Sequence, residues 1–456
     1  MNNTIEKNGK ILKESNPELA ALKHIISSMS ANVLQHDLTI NQAQKSGETP
    51  AMKRYDSLDM FRGFSIMAMF LCHFTLYLSY WPEEIDWGTF IITYALDWVI
   101  SASSFLTISG ASNGISAKKA EILNTRNPWL YSIIRAVMLY LVATFLSFYY
   151  DFKEAMFDTD ILFLMSVMTL IYPFARNFSD GALLTIIIIV SYATPIMRRA
   201  SNFLEPWGNT VNPLEPMSTQ MKLPLIQECN VSYLWPGTFS TVVSGQIFEG
   251  KFVLFPHGCF GLLGLIIGHQ LGNGTFDSYM KVYAIVGTVL IIAGGLFSYI
   301  GAKKNLNPVT EFLSPLLYYP VSFSHYILEM GATIVELVLC HKYFDFEKIE
   351  NWFFEAVRLT GQFSLSYYTY HYMIIFGITH IKEWIKGTDY EVNNIMEWYY
   401  CIPLAIVVWV VFSFALFPLI KKNKGIGSVE HLIGLVLNLA KKFEATENGE
   451  KGAIAL

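Results

Sequence analysis

From residue 54 onward, long apolar runs alternate with short polar connections, and the runs set the architecture. Ten of them approach the ~20 residues an α-helix needs to cross a bilayer. They lie near 62–81, 88–115, 129–149, 160–175, 181–197, 252–270, 279–300, 313–340, 362–381 and 398–420. Backbone groups in lipid must pair within their own segment, so these runs predict helices rather than strands. The expected fold class is all-α, a polytopic transmembrane helix bundle of about 10 spans.

The remaining chain divides around that bundle. Residues 1–53 are polar, lack the apolar core of a signal peptide, and predict a loosely ordered cytoplasmic tail, with a surface helix in "NPELAALKHIISSMSANVL" as the alternative. The membrane domain covers 54–420. Its longest connection, 198–251, holds Pro206, Trp207, Pro213, Pro216, Trp235 and Pro236, and forms either an ordered extracytoplasmic cap or a flexible loop. Within 421–456, "GSVEHLIGLVLNLAKKFE" is apolar at helical spacing with trailing lysines, which predicts an amphipathic helix on the cytoplasmic membrane face. No direct or inverted repeat is visible, which weighs against a secondary transporter.

Composition agrees: 53% of residues are hydrophobic and 15% charged, against about 25% charged in soluble domains. The net charge of −5 matters less than where Lys and Arg fall. Lys53, Arg54 and Arg62, then Lys118, Lys119 and Arg126, then Lys342, Lys348 and Arg358, then "KKNKG" mark one side. The alternate connections "PEEID" and "DFKEAMFDTD" are acidic, so both termini are expected to be cytoplasmic. Arg198, Arg199, Lys303 and Lys304 run against this count. Cysteines at 72, 229, 259, 340 and 401 have neither metal nor redox spacing and read as packing residues. No metal and no nucleic acid are expected.

The chemistry concentrates in "RYDSLDMFRGFSIMAMFLCHF" at 54–74. Asp56 or Ser57 suits a helix N-cap, and Asp59 and Arg62 share one helix face. His73 follows Arg62 by eleven residues, a rise of roughly 16 Å. That separation is about the reach of a pantetheine arm, with an anionic head held at the arginine and a thioester delivered to the imidazole. An imidazole in so apolar a segment needs partners, and an ionisable residue within a membrane marks a functional site by default. Asp97 is either a partner that fixes the His73 tautomer or a buried helix–helix hydrogen bond. His371, in "SYYTYHY", either lines the site or bridges tyrosines. Lys118 and Lys119 serve either phosphates or topology. His325, Glu329 and Glu336 read as a polar seam between helices, and the glycines of "GCFGLLGLIIG" as close-packing positions.

These residues resemble the transmembrane acyltransferases, a group that includes the relatives of heparan-α-glucosaminide N-acetyltransferase and the bacterial acyltransferase family three. "RYDSLDMFRG" followed by His73 carries the first motif. "LDWVISASSFLTISGASNGIS" is similar to the second helix, and "FPHGCFGLLGLIIGHQLG" to a Phe-Pro-Trp segment in which His257 replaces the Trp. "GQFSLSYYTYHYMI" resembles a late helix, and "KGIGSVEHLIG" a C-terminal element. In the heparan branch the catalytic histidine lies in the loop after the first helix. Here that loop, "WPEEIDWG", has none, and His73 matches the family-three position.

The resemblance implies transfer of an acyl group, acetyl foremost, from cytoplasmic acyl-CoA to a hydroxyl or amine of an extracytoplasmic or lumenal glycan or lipid-linked sugar. His73 would act as general base, with a covalent acyl-histidine as the alternative. Asp97 and Asp59 complete the catalytic set. Arg54, Arg62, Lys118 and Lys119 would hold the CoA phosphates, and His257, His371 and Tyr370 are further pocket candidates. The expected setting is multi-pass in the plasma membrane, with a homodimer left open. A transporter or flippase for an anionic or sugar metabolite is the competing reading from a different class.

Overall fold

The structure is a computed structural model, which describes residues 54–78, 102–123, 128–150, 161–200, 252–304, 306, 311–316, 321–386 and 396–440. Among these residues every regular element is helical: α1 (Asp56–Leu78), α2 (Ala102–Leu123), α3 (Pro128–Tyr150), α4 (Ile161–Ala175), α5 (Asp180–Ala200), α6 (Leu254–Gly272) and α7 (Phe276–Lys303). Then come α8 (Phe323–Cys340) with a π-helical turn (His341–Phe346), α9 (Trp352–Gln362), α10 (Ser364–Lys386), and α11 (Trp398–Val411) with a π-helical turn (Phe412–Leu416). The short α12 (Phe417–Lys422) and α13 (Val429–Ala440) are the last of the described elements. The N-terminal tail, most of the 198–251 connection and the residues after 440 lie outside the described set.

Each of the ten predicted runs overlaps one of these helices. Six helical stretches among the described residues are long and apolar enough to cross a membrane, built on α3, α5, α6, α7, α8 and α11. The other four runs coincide with α1, α2, α10 and the 15-residue α4. Several boundaries differ from expectation, among them the ends of α2 at Leu123 and of α10 at Lys386, each beyond the expected run. In the 313–340 run, helix α8 begins at Phe323, where the Ser322 hydroxyl caps it by accepting from His325 N; Pro315 and Pro320 upstream disfavour an earlier start of that helix. Helix α1 already begins at Asp56, so Asp56 and Ser57 stand in its first turn.

Helices α2 and α6 pack backbone to backbone. A Cβ on Gly264 would lie 1.9 Å from the Thr107 carbonyl oxygen, and one on Gly110 would lie 2.0 Å from that of Gly261. The two backbones touch, which only glycine permits. The glycines of "GCFGLLGLIIG" thus serve close approach. Helix α9, which the sequence did not announce, crosses α1 in the same way: Gly361 faces the Asp59 carbonyl and Gly63 that of Val357.

Polar contacts define two ends of the bundle. At one end Tyr55 Oη donates to the Leu271 carbonyl (2.7 Å) and Arg358 pairs with Asp56 (3.4 Å). Also there, His341 sits between Asp277 (2.5 Å) and Asp345 (2.9 Å), while Asp345 accepts from Ser57 N (3.3 Å). Burial, then the Asp277 and Asp345 charges, push the Tyr55 phenol up to about 12, so it stays a neutral donor. At the other end buried Arg198 donates to the Val321 carbonyl (2.7 Å), and Met396 N to that of Leu78 (3.0 Å). His325 and Glu329 of the expected seam are buried on α8. Cys72, Cys259, Cys340 and Cys401 are buried and outside any disulfide, as packing residues should be, and Cys229 lies outside the described residues.

Candidate active site

Helix α1 is uninterrupted from Asp56 to Leu78, so the expected rise of roughly 16 Å from Arg62 to His73 is preserved. His73 stands five residues from the end of α1, near the end of the bundle opposite Arg54. Its Nδ1 lies 2.9 Å from Nε2 of His371, 298 positions away in sequence. The two rings are inclined by only 21°. Tyr77, one turn along α1, meets His73 edge-on (centroids 5.6 Å), and Tyr372 of α10 approaches it at 5.0 Å. Phe70 stacks on His371 at 5.0 Å, and Tyr368 meets that ring edge-on. An aromatic sleeve therefore encloses the pair.

The hydrogen bonds fix the tautomers. His371 Nδ1 faces the Tyr367 carbonyl at 3.1 Å. A carbonyl only accepts, so the His371 proton is on Nδ1 and its Nε2 carries a lone pair. His73 Nδ1 must then donate across the 2.9 Å contact, which leaves the lone pair of neutral His73 on Nε2. The relay thus turns a basic nitrogen away from its partner, as a general base requires. His371 is fully buried whereas His73 is only partly so, which leaves the basic ring the more accessible of the two.

The arginine end is built around Asp59, which is 8% exposed. Its carboxylate takes Arg54 through Nε (3.2 Å) and Nη2 (2.5 Å), and Arg62 through Nη1 at 3.5 Å. Arg62 also donates to the Gly361 carbonyl (3.3 Å) and Ser112 Oγ (3.4 Å), tying α1 to α9 and α2. The expected Asp59–Arg62 pair is present, although Arg54 is the closer partner. Asp59 precedes His73 by fourteen residues on the same helix, roughly 21 Å, so its chemistry belongs to this end. Lys118 packs against Gly272 near the same end, with Lys119 exposed beside it.

The other candidates separate. Tyr370 turns away from His73: its hydroxyl donates to the Gly427 carbonyl and its ring packs on Phe412 and Phe417. His257 is buried at the start of α6 with its ring 5.6 Å from Phe252, and α6 packs chiefly on α2 and α5. Asp97 lies outside the described residues, and His73 Nδ1 is taken by His371. Among the described residues no group of three or more His, Cys, Asp and Glu is arranged to hold a metal ion. Sequence reasoning missed Ser112 and the Gly361 carbonyl as partners of Arg62, and Tyr77 and Tyr372 as walls of the histidine pair. Only the i+4 spacing of Tyr77 from His73 could have signalled any of them.

Residues 54–301 match the family model described as heparan-alpha-glucosaminide N-acetyltransferase, catalytic. The match contains His73, both arginines and the close-packed α2 and α6, and it ends before the helix that carries His371. No curated protein matches the chain.

Proposed function

Because the chain belongs to the heparan-alpha-glucosaminide N-acetyltransferase catalytic family, we propose that it is an integral membrane acyltransferase. It moves an acyl group, acetyl foremost, from cytoplasmic acyl-CoA to a hydroxyl or amine of a glycan or lipid-linked sugar on the far side of the membrane. About ten spans carry the chain, with both termini cytoplasmic, and the plasma membrane is the proposed location. Helix α13 lies along the cytoplasmic face: Leu432, Leu435 and Leu439 are exposed on one side of it, and Lys421, Lys422 and Lys424 precede it.

The observation that carries this reading is the His73–His371 contact. As the acceptor oxygen or nitrogen attacks the thioester carbonyl, His73 Nε2 takes its proton, and His371 accepts from Nδ1 of the resulting imidazolium. Collapse of the tetrahedral species breaks the C–S bond. The proton then passes from His73 to the departing CoA sulfur, giving the acylated acceptor, free thiol and a neutral imidazole. The arginine end supplies cations for the CoA phosphates. Arg54, 67% exposed at its side chain, is the more available, while Arg62, at 22%, is already bonded to α2 and α9.

The test is transfer of labelled acetyl from acetyl-CoA to an amino sugar by the purified, reconstituted protein. His73→Ala is expected to lower kcat by about 1,000-fold, within the range of a general base, while the protein still melts cooperatively in detergent. Transfer by His73→Ala at the wild-type rate would overturn the assignment. So would sugar translocation into vesicles that contain no acyl-CoA.

A further inference from the structure

The histidine pair joins two helices, so its geometry depends on what sets the register of α10. Helix α9 leads into α10 through Phe363, where the backbone leaves helical geometry (φ −113°, ψ 32°), so the two are separate helices. The start of α10 is held by the segment that leads into α13. Glu430 Oε1 accepts from the backbone N–H groups of Leu365 (2.8 Å) and Ser366 (3.1 Å). The Ser366 hydroxyl donates to Glu430 Oε2 and accepts from Val429 N (2.8 Å). One turn on, Tyr370 donates to the Gly427 carbonyl.

The physical reasons for this clamp are local. The first N–H groups of a helix have no intrahelical acceptor, and a carboxylate there also meets the positive end of the helix dipole. Gly425 and Gly427 adopt φ +84° and +98°, which turns the chain after α12 back onto α10. Burial pushes the Glu430 carboxyl up from its ordinary value. His371 follows Ser366 by five residues, a rise of only about 7.5 Å. A slide of α10 at its clamp is therefore felt undiminished at the 2.9 Å contact with His73.

We propose that Glu430 is the positioning residue of the histidine pair: by capping α10 through Leu365 and Ser366 it holds His371 in hydrogen-bonding register with His73. The C-terminal segment, which lies beyond the matched family region, is thus a working part of the site. Only the activity readout rests on the acyl-transfer reading above; the hydrogen bond itself does not.

The test uses the full-length protein with ¹⁵N-labelled histidine and follows the N–H···N imidazole signal, identified by its loss in His371→Ala. Glu430→Ala is expected to abolish that signal and to lower kcat about 100-fold, the consequence of roughly 1 Å of misplacement. KM for acetyl-CoA should stay within about threefold, because binding at the arginine end is untouched. Glu430→Gln keeps an acceptor for both N–H groups and should restore signal and kcat to within about threefold of wild type. Ser366→Ala, which retains the backbone bonds, should weaken the signal and lower kcat by about tenfold, and it decides the matter should Glu430→Ala not fold. An intact imidazole signal in Glu430→Ala, or in Ser366→Ala if that variant decides, would overturn the proposal. Loss of the signal together with a wild-type protein that transfers no acetyl group would support it while refuting the acyl-transfer reading.

Discussion

The α2–α6 pair and the α1–α10 pair are both close helix contacts in one bundle, and they are built from opposite materials. Between α2 and α6 the surfaces are backbone: Gly110, Gly264 and Gly268 bring carbonyls to where side chains would stand. Between α1 and α10 the surfaces are side chains: two imidazoles in contact, with Phe70, Tyr77, Tyr368 and Tyr372 around them. A glycine contact has no rotamers to adjust, so it fixes two helices as one unit. A contact through rings tolerates small shifts in packing but loses its hydrogen bond with about 1 Å of movement. The molecule therefore sets its histidine pair at a joint, and needs a separate device to hold that joint in register.

This contrast can be broken from either side. The largest structural effect is expected from Gly264→Val. A Cβ at this position would already lie 1.9 Å from the Thr107 carbonyl oxygen, so α2 and α6 must separate. Overpacking of this kind costs about 1–3 kcal/mol or more, and melting of the protein in detergent should show a clear loss of stability. An unchanged melting temperature would mean that the two helices are not the fixed unit described here.

His371→Ala should act in the other way, on rate rather than stability. Removing the acceptor for His73 Nδ1 frees the tautomer, and kcat is expected to fall by about 10- to 100-fold with KM for acetyl-CoA little changed. Combined with His73→Ala it should add almost nothing, because the two act as one unit. Additive losses in that cycle would separate the histidines functionally.

The smallest effect is expected from Tyr55→Phe, which removes one hydrogen bond to the Leu271 carbonyl at the arginine end. About 1 kcal/mol of stability is at stake, and single-turnover acetyl transfer should be unaltered. A large loss of transfer would show that this end couples to the histidine joint more tightly than the separation along α1 suggests.

What could be read in advance divides along the same line. Asp59 and Arg62 were legible as a pair because i,i+3 spacing on a helix is local geometry. Their partners Ser112 and the Gly361 carbonyl were not, since both come from other helices. His371 was visible as a polar residue in an aromatic run, but nothing in the chain names its partner 298 positions away. Tyr370 was a further pocket candidate, yet successive residues on a helix point in different directions, and its hydroxyl donates to the Gly427 carbonyl. Helix α9 escaped notice because its 11 residues are too few to span a membrane, and the C-terminal helix was seen as amphipathic without any sign that Glu430 reaches back to α10.

By itself, then, the sequence determined the elements: apolar length dictates helices in lipid, glycine spacing marks where backbones will touch, and the rise per residue separates Arg62 from His73. The tertiary structure alone decided which histidine meets which, which nitrogen of His73 is left basic, and what keeps α10 in place. Hydropathy and helical rise are properties of a single segment, whereas a hydrogen bond between two imidazoles depends on the relative register of two helices, and no single segment encodes that.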